Sequence, residues 1–83
     1  MKQLTNTMLD ALVTQAQQSP RLRANHNLHA DLDDAIQRLA IAMEPDTLVL
    51  PHRHLHTFEV LLALRGRFVV LTFDGTGQVT ERV

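Results

Sequence analysis

The sequence contains no cysteine, tryptophan or tyrosine, and only three residues each of glycine, proline and phenylalanine among 83. Without cysteine, neither a disulfide nor a thiolate zinc site can stabilise so short a chain, so a histidine-ligated metal or self-association is left to do so. An excess of one charge is also lacking, since the formal net charge is -1 and the two signs are interspersed. We therefore expect no nucleic-acid partner, which would require a basic face.

Long hydrophobic runs are missing as well. Residues 1–18 carry one lysine but no unbroken apolar stretch and no small-residue cleavage site, so we expect neither a signal peptide nor a membrane-spanning helix. Apolar residues at helical spacing between positions 8 and 16 predict a short amphipathic α-helix within residues 1–19, closed by Ser19-Pro20. This helix lacks the basic polar face of a membrane-surface helix. The sequence therefore predicts a cytoplasmic protein with no membrane partner.

The chain changes character after Pro45, where β-branched residues and turn dipeptides dominate. Short strands are predicted at residues 47–50, 60–64, 68–73 and 79–83. The last two are joined by a tight turn at Asp74-Gly75-Thr76-Gly77. Polar residues 21–34 predict a loop or an edge strand, whereas residues 35–43 fit a helix or a strand by periodicity. Together these patterns predict one mainly β domain over 1–83, a sandwich or barrel with its strands over 35–83.

Three of the five histidines, His52, His54 and His56, fall close together. On an extended strand alternate residues face the same side, so His52 and His54 place two imidazoles about 6 to 7 Å apart at the backbone, near enough to share an ion. His56 would lie about 13 Å from His52 on a straight strand, too far without a bend. Glu59 follows a predicted turn at residues 55–58 and returns a carboxylate to the same region. This donor set suits one divalent ion of zinc, iron, manganese or nickel.

The alternative is a set of solvated histidines on an edge strand. Glu59 argues against it, because this residue interrupts the apolar run F-E-V-L-L-A-L, where an ionised carboxylate needs a partner. The sequence therefore predicts a metal site made of His52, His54 and Glu59.

Residues 52–66 read H-R-H-L-H-T-F-E-V-L-L-A-L-R-G, which resembles the first conserved motif of cupins: His-x-His, four residues, Glu, six residues, Gly. The motif would span 46–66, with Asp46 in place of the leading glycine. Over nearly the whole chain the sequence resembles the WbuC-type cupin-fold metalloproteins, often found with bacterial cell-surface polysaccharide genes. The residues that carry this narrower resemblance are Asn27-Leu28-His29, Asp33-Asp34, Gln37-Arg38-Leu39, Glu44-Pro45, Pro51-His52-Arg53-His54, Phe73-Asp74, Gly77 and Val79.

The resemblance implies a jelly-roll β-barrel in which residues 37–43 form a strand. A second cupin motif would supply a fourth ligand, but no histidine follows His56. We therefore expect a partial jelly roll: either a shortened relative, or one completed by strands of another copy. His26, His29 or His56 could replace the missing ligand. The resemblance also implies that Gln37 or Arg38 faces the pocket. An ion pair of Arg38 with Asp33 or Asp34 is an equal alternative.

The function implied by the resemblance is that of a metal-dependent sugar or nucleotide-sugar isomerase or epimerase, which binds a small carbohydrate-like ligand. Three alternatives stay open. They are an Fe(II)-dependent dioxygenase, a non-catalytic metal- or ligand-binding protein, and a metal-free epimerase with a histidine as general base. Open strand edges at residues 79–83 and 47–50 further predict a homodimer.

Overall fold

The structure, a computed structural model, describes residues 1–55 and 57–83. Within them the chain forms helix α1 (Asn6–Gln18) and strands β1 (Arg23–Asn27), β2 (Leu39–Met43), β3 (Leu71–Phe73) and β4 (Val79–Arg82). Two compact units result, Met1–Val49 with α1, β1 and β2, and Leu50–Val83 with β3 and β4. The single domain expected over 1–83 stays a prediction.

Helix α1 begins where its first turn is capped. The Thr5 hydroxyl accepts the N–H of Met8 at 3.1 Å, which satisfies one of the donors that a helix leaves open at its start. The helix ends because Ser19 is extended and precedes a proline. Leu12 and Ala16, one turn apart, are buried on the same face. The predicted N-terminal helix is confirmed, and in the described part of the chain no helix has the length and apolarity needed to cross a membrane.

The first sheet pairs β1 with β2 in antiparallel register, with Asn25 opposite Ile41. Alternate residues of a strand face opposite sides. Ala40 is buried on the side that α1 contacts, whereas Leu39, Ile41 and Met43 remain exposed on the other side. The strand expected over residues 37–43 is therefore found at Leu39–Met43, and the polar segment 21–34 contains β1, the second of its two predicted forms.

The second sheet is the hairpin of β3 and β4, with Leu71 opposite Arg82. Its turn is held by Asp74, whose Oδ1 accepts the Thr76 hydroxyl at 2.6 Å and the N–H groups of Thr76 and Gln78 at 2.8 and 3.1 Å. These hydrogen bonds, that of the Thr76 hydroxyl first, lower the pKa of Asp74 below the usual range of an aspartate. The predicted hairpin is confirmed.

Two predicted strands, at residues 47–50 and 60–64, are absent from the described residues, and the one predicted at 68–73 is shortened to β3. Thr47 closes a turn instead, since its N–H donates to the Glu44 carbonyl at 3.0 Å. Apolar, β-branched composition suits a strand, but a strand also needs a hydrogen-bonded neighbour. The described residues thus form a mainly non-helical chain with two small antiparallel sheets and no closed barrel.

Candidate functional site

His52 and His54 lie side by side in the unit Leu50–Val83. Their ring centroids are 5.3 Å apart, and the ring planes meet edge to face at 83°. Two imidazoles that share one ion have ring centres about 5 Å apart, given a metal–nitrogen distance near 2.1 Å. The two rings therefore have a spacing compatible with a common ion, although the backbone that carries them is not in a strand.

The ring of His52 is oriented by the backbone. Its Nδ1 lies 2.9 Å from the carbonyl oxygen of Leu50. A carbonyl oxygen only accepts hydrogen bonds, so Nδ1 carries the proton and the lone pair is on Nε2. A metal-binding histidine is commonly held in this way, with the proton-bearing nitrogen on a carbonyl and the other nitrogen toward the ion.

The ring of His54 contacts the third predicted ligand. His54 Nε2 lies 2.5 Å from Oε1 of Glu59, so the carboxylate accepts the imidazole N–H. The two side chains are 44% and 47% exposed, and solvent therefore screens their attraction. A nitrogen and an oxygen bound to the same ion lie about 3 Å apart. The pair is tighter than that, and among residues 1–55 and 57–83 no three histidine, aspartate or glutamate side chains are placed together to hold an ion.

Glu59 also lines an open groove of about 600 Å³ within the same unit. Its other lining residues are Leu61, Ala63, Gly66, Arg67, Phe68, Val70 and Val83. The groove is open to solvent, whereas most small-molecule sites are concave and enclose the greater part of their ligand. One carboxylate and one guanidinium on apolar walls would suit a small ligand with polar substituents.

The remaining predicted site residues belong to the unit Met1–Val49 or lie outside the described residues, as His56 does. His29 Nδ1 lies 3.2 Å from the backbone nitrogen of Arg38 and 3.1 Å from its carbonyl oxygen. The Gln37 side-chain amide donates to the carbonyl of Leu32. These contacts close the connection between β1 and β2, so His29 and Gln37 have a local structural role there. The proposed part of Arg38 in the pocket stays a prediction.

Sequence reasoning missed Arg67 and the Leu50 carbonyl. A backbone acceptor leaves no side-chain signature in the sequence. Arg67, in contrast, directly follows Gly66, the last residue of the histidine motif, which adopts the positive φ of 69° that favours glycine. A cation beside that turn was a readable signal for a polar group near the site.

Comparison with protein-family models assigns the chain to a family. A model described as a domain of unknown function, DUF6016, matches residues 4–83. The chain belongs to the DUF6016 family. The DUF6016 match includes both compact units and all of the candidate ligands, and its description names no activity, fold or ligand. Searches of the curated proteins and of the solved structures each gave no match.

Proposed function

We propose that this DUF6016 protein binds one divalent metal ion, of zinc, iron, manganese or nickel, through His52, His54 and Glu59. The observations that carry the proposal are two contacts that share His54: the imidazole centres of His52 and His54 are 5.3 Å apart, and His54 Nε2 lies 2.5 Å from Glu59 Oε1. Two neutral imidazoles and one carboxylate leave coordination positions open for water or substrate.

Each of the surrounding groups has a role in this proposal. The Leu50 carbonyl holds the His52 ring with Nε2 available as a ligand. Glu59 stands both beside His54 and on the groove wall, so a ligand in the groove would lie next to one of the proposed metal ligands. Arg67 offers a guanidinium to an anionic substituent such as a phosphate or carboxylate. The metal, when bound, would supply Lewis-acid stabilisation of charge on a carbonyl or hydroxyl oxygen.

The substrate class rests on the resemblance to cupins of the WbuC type. On that basis we propose a cytoplasmic sugar or nucleotide-sugar isomerase or epimerase, linked to cell-surface polysaccharide synthesis. Glu59 and Arg67 on the groove wall offer two charged groups to a small carbohydrate-like ligand. The same resemblance supports a jelly roll as the fold to which the two small sheets belong.

A second candidate function is favoured by the contact between His54 and Glu59. When the carboxylate accepts the Nε2 proton, the lone pair of His54 is on Nδ1, and the ring is held in one orientation. A histidine oriented in this way can act as a general base without a metal. Removal of a proton next to a carbonyl group, the first step of many epimerisations, would then need only this pair.

Elemental analysis of the purified protein tests the first proposal. We expect about one ion per chain in the wild type and in Asn25→Ala, a variant of an exposed residue in β1 that is not a candidate ligand. The double variant His52→Ala/His54→Ala should hold none, because two nitrogen ligands are removed. Stoichiometric metal in the double variant would show the ligand assignment to be wrong. A metal-free wild type with epimerase activity that resists chelators but is lost in Glu59→Gln would favour the second candidate.

A further inference from the structure

The chain exposes more surface than a folded monomer of its mass. Its accessible surface is 7628 Å² at 9.4 kDa. The size dependence of folded monomers gives about 5,000 Å² for this mass, so roughly 2,600 Å² is in excess. Part of this excess is the surface of the hairpin unit, in which β3 and β4 have only each other as strand neighbours among the described residues.

The uncovered apolar surface is concentrated in the unit Leu50–Val83. The buried apolar residues of the described chain are Leu12, Ala16 and Ala40, all in the other unit. In the hairpin unit Val69, Leu71 and Phe73 form a row on one face of β3 and its extension, each 41–49% exposed. A lone two-stranded hairpin is at best marginally stable in water. This unit therefore needs further strands beside it.

The edge of β3 that faces away from β4 has backbone groups available to pair with another strand. Val70 and Val83 exchange two hydrogen bonds, of 2.8 and 3.0 Å, so they form a hydrogen-bonded pair. The next pair, Leu71 and Arg82, is then of the non-hydrogen-bonded type, and the N–H and C=O of Leu71 point away from β4. Among the described residues β3 has only β4 as a strand neighbour.

Charge also distinguishes the two edges. Residues 68–73 are uncharged, whereas β4 contains Glu81 and Arg82. Charged residues on an edge strand oppose pairing with another chain, and β3 has none. Of the two homodimer edges predicted from the sequence, at residues 79–83 and 47–50, the first therefore contains charged residues that oppose pairing.

We infer that two copies of this chain pair antiparallel through β3, with Leu71 opposite its own copy. A two-fold axis perpendicular to the sheet then sets residue 69 opposite 73 and residue 70 opposite 72. Every pair is apolar, aromatic or β-branched, and such cross-strand pairs stabilise sheets. The two hairpins become one four-stranded sheet, in the order β4, β3, β3, β4.

The same symmetry applied to β4 gives poorer pairs. An axis at Glu81 or Arg82 sets that charge opposite its own copy, which destabilises the pair. An axis at Thr80 sets Val79 opposite Glu81 instead. Of the two strands, β3 is therefore the one whose residues pair favourably with a second copy of themselves.

The proposed contact is separate from the candidate metal site. Val70 and Val83 line the groove with Glu59. Leu71 points to the opposite face, because successive residues of a strand alternate. A substitution of Leu71 thus tests the dimer and leaves the groove-lining side chains unchanged.

Sedimentation equilibrium of the full chain tests the inference. We expect the wild type to have about twice the mass of 9.4 kDa at micromolar concentration. Leu71→Glu should raise the dissociation constant at least about tenfold, since two carboxylates would face each other across the axis. Within one hairpin the new carboxylate lies opposite Arg82, an attractive pair, so the variant should still fold. Val79→Glu, the matched change on β4, should leave the dimer intact.

A charge-reversed partner shows whether Leu71→Glu loses dimerisation because of the contact between the two copies of residue 71. The variant Leu71→Lys/Arg82→Glu keeps an attractive pair within its hairpin and repels its own copy. Mixed with Leu71→Glu, it should form a heterodimer that native mass spectrometry resolves by mass. The inference is overturned if the wild type is monomeric at about 100 µM, a concentration far above the dissociation constant of a specific dimer. It is also overturned if Val79→Glu dissociates the dimer while Leu71→Glu does not, or if the mixture forms no heterodimer.

Discussion

Leu12 is the residue on which the stability of the unit Met1–Val49 most depends. It is 5% exposed, and the other buried side chains of the described residues, Ala16 and Ala40, are only methyl groups. Leucine-to-alanine changes at buried sites cost roughly 2.7–5 kcal/mol, and a thin unit that can partly collapse belongs at the lower end, near 3 kcal/mol. A chain of 83 residues has a total stability of about 4–12 kcal/mol. Leu12→Ala should therefore remove a quarter or more of it.

Urea unfolding, followed by circular dichroism at a helical wavelength, measures this loss. The midpoint of thermal unfolding should fall by about 12–24 °C, since 1 kcal/mol shifts it by about 4–8 °C in a chain of this size. Leu4→Ala is the matched control, because Leu4 is 36% exposed and should cost about 1 kcal/mol or less. Equal losses in the two variants, or a loss below about 1 kcal/mol for Leu12→Ala, would refute the assignment of Leu12 to the core.

Two further predictions concern pH. The hydrogen bonds that lower the pKa of Asp74 stabilise the hairpin above about pH 4 and lose this effect as pH falls through the lowered value; an acid titration of the hairpin amide resonances should show this loss, and Asp74→Asn should remove the dependence. Metal occupancy should fall on acidification, because protons compete with the ion for the nitrogens of His52 and His54. An occupancy that stays constant from pH 8 to about pH 5 would contradict imidazole ligation.

The parts of the fold that the sequence predicted are those with local causes. Helix α1 depends on the Thr5 cap and on an apolar stripe within one segment, and both can be read without knowing any distant neighbour. The hairpin depends on Asp74 and Gly77, which set the turn through contacts at most four residues apart.

The parts that sequence reasoning did not predict depend on distant partners. Residues 60–64 have the composition of a strand, but hydrogen bonding requires a neighbouring strand that composition does not specify. Periodicity likewise left residues 35–43 open between helix and strand, and only the resemblance to cupins predicted the strand. The pairing of Ile41 with Asn25, across the polar connection, decides it. Strand length and register were therefore beyond what the pattern alone could give.

The candidate site likewise has one part with a local cause and one part that depends on the path of the chain. The spacing of His52 and His54 is enough to make them neighbours, since one residue separates them. The position of Glu59 depends on the path of the chain between the histidines and the apolar run. The structure brings its carboxylate to His54 and leaves the ligand assignment itself a prediction.

The contact between His54 and Glu59 makes the two proposed chemistries alternatives on any one chain. An ion bound at His54 Nε2 must displace the proton that Glu59 accepts, because one lone pair cannot hold both. That displacement would free the carboxylate to become the third proposed ligand, and it would end the arrangement in which Nδ1 is the proposed base. In these proposals Glu59 would serve the ion in one state and the imidazole in the other. Since both side chains are nearly half exposed, exchange between the two proposed states would involve rotation of surface side chains and no opening of a core.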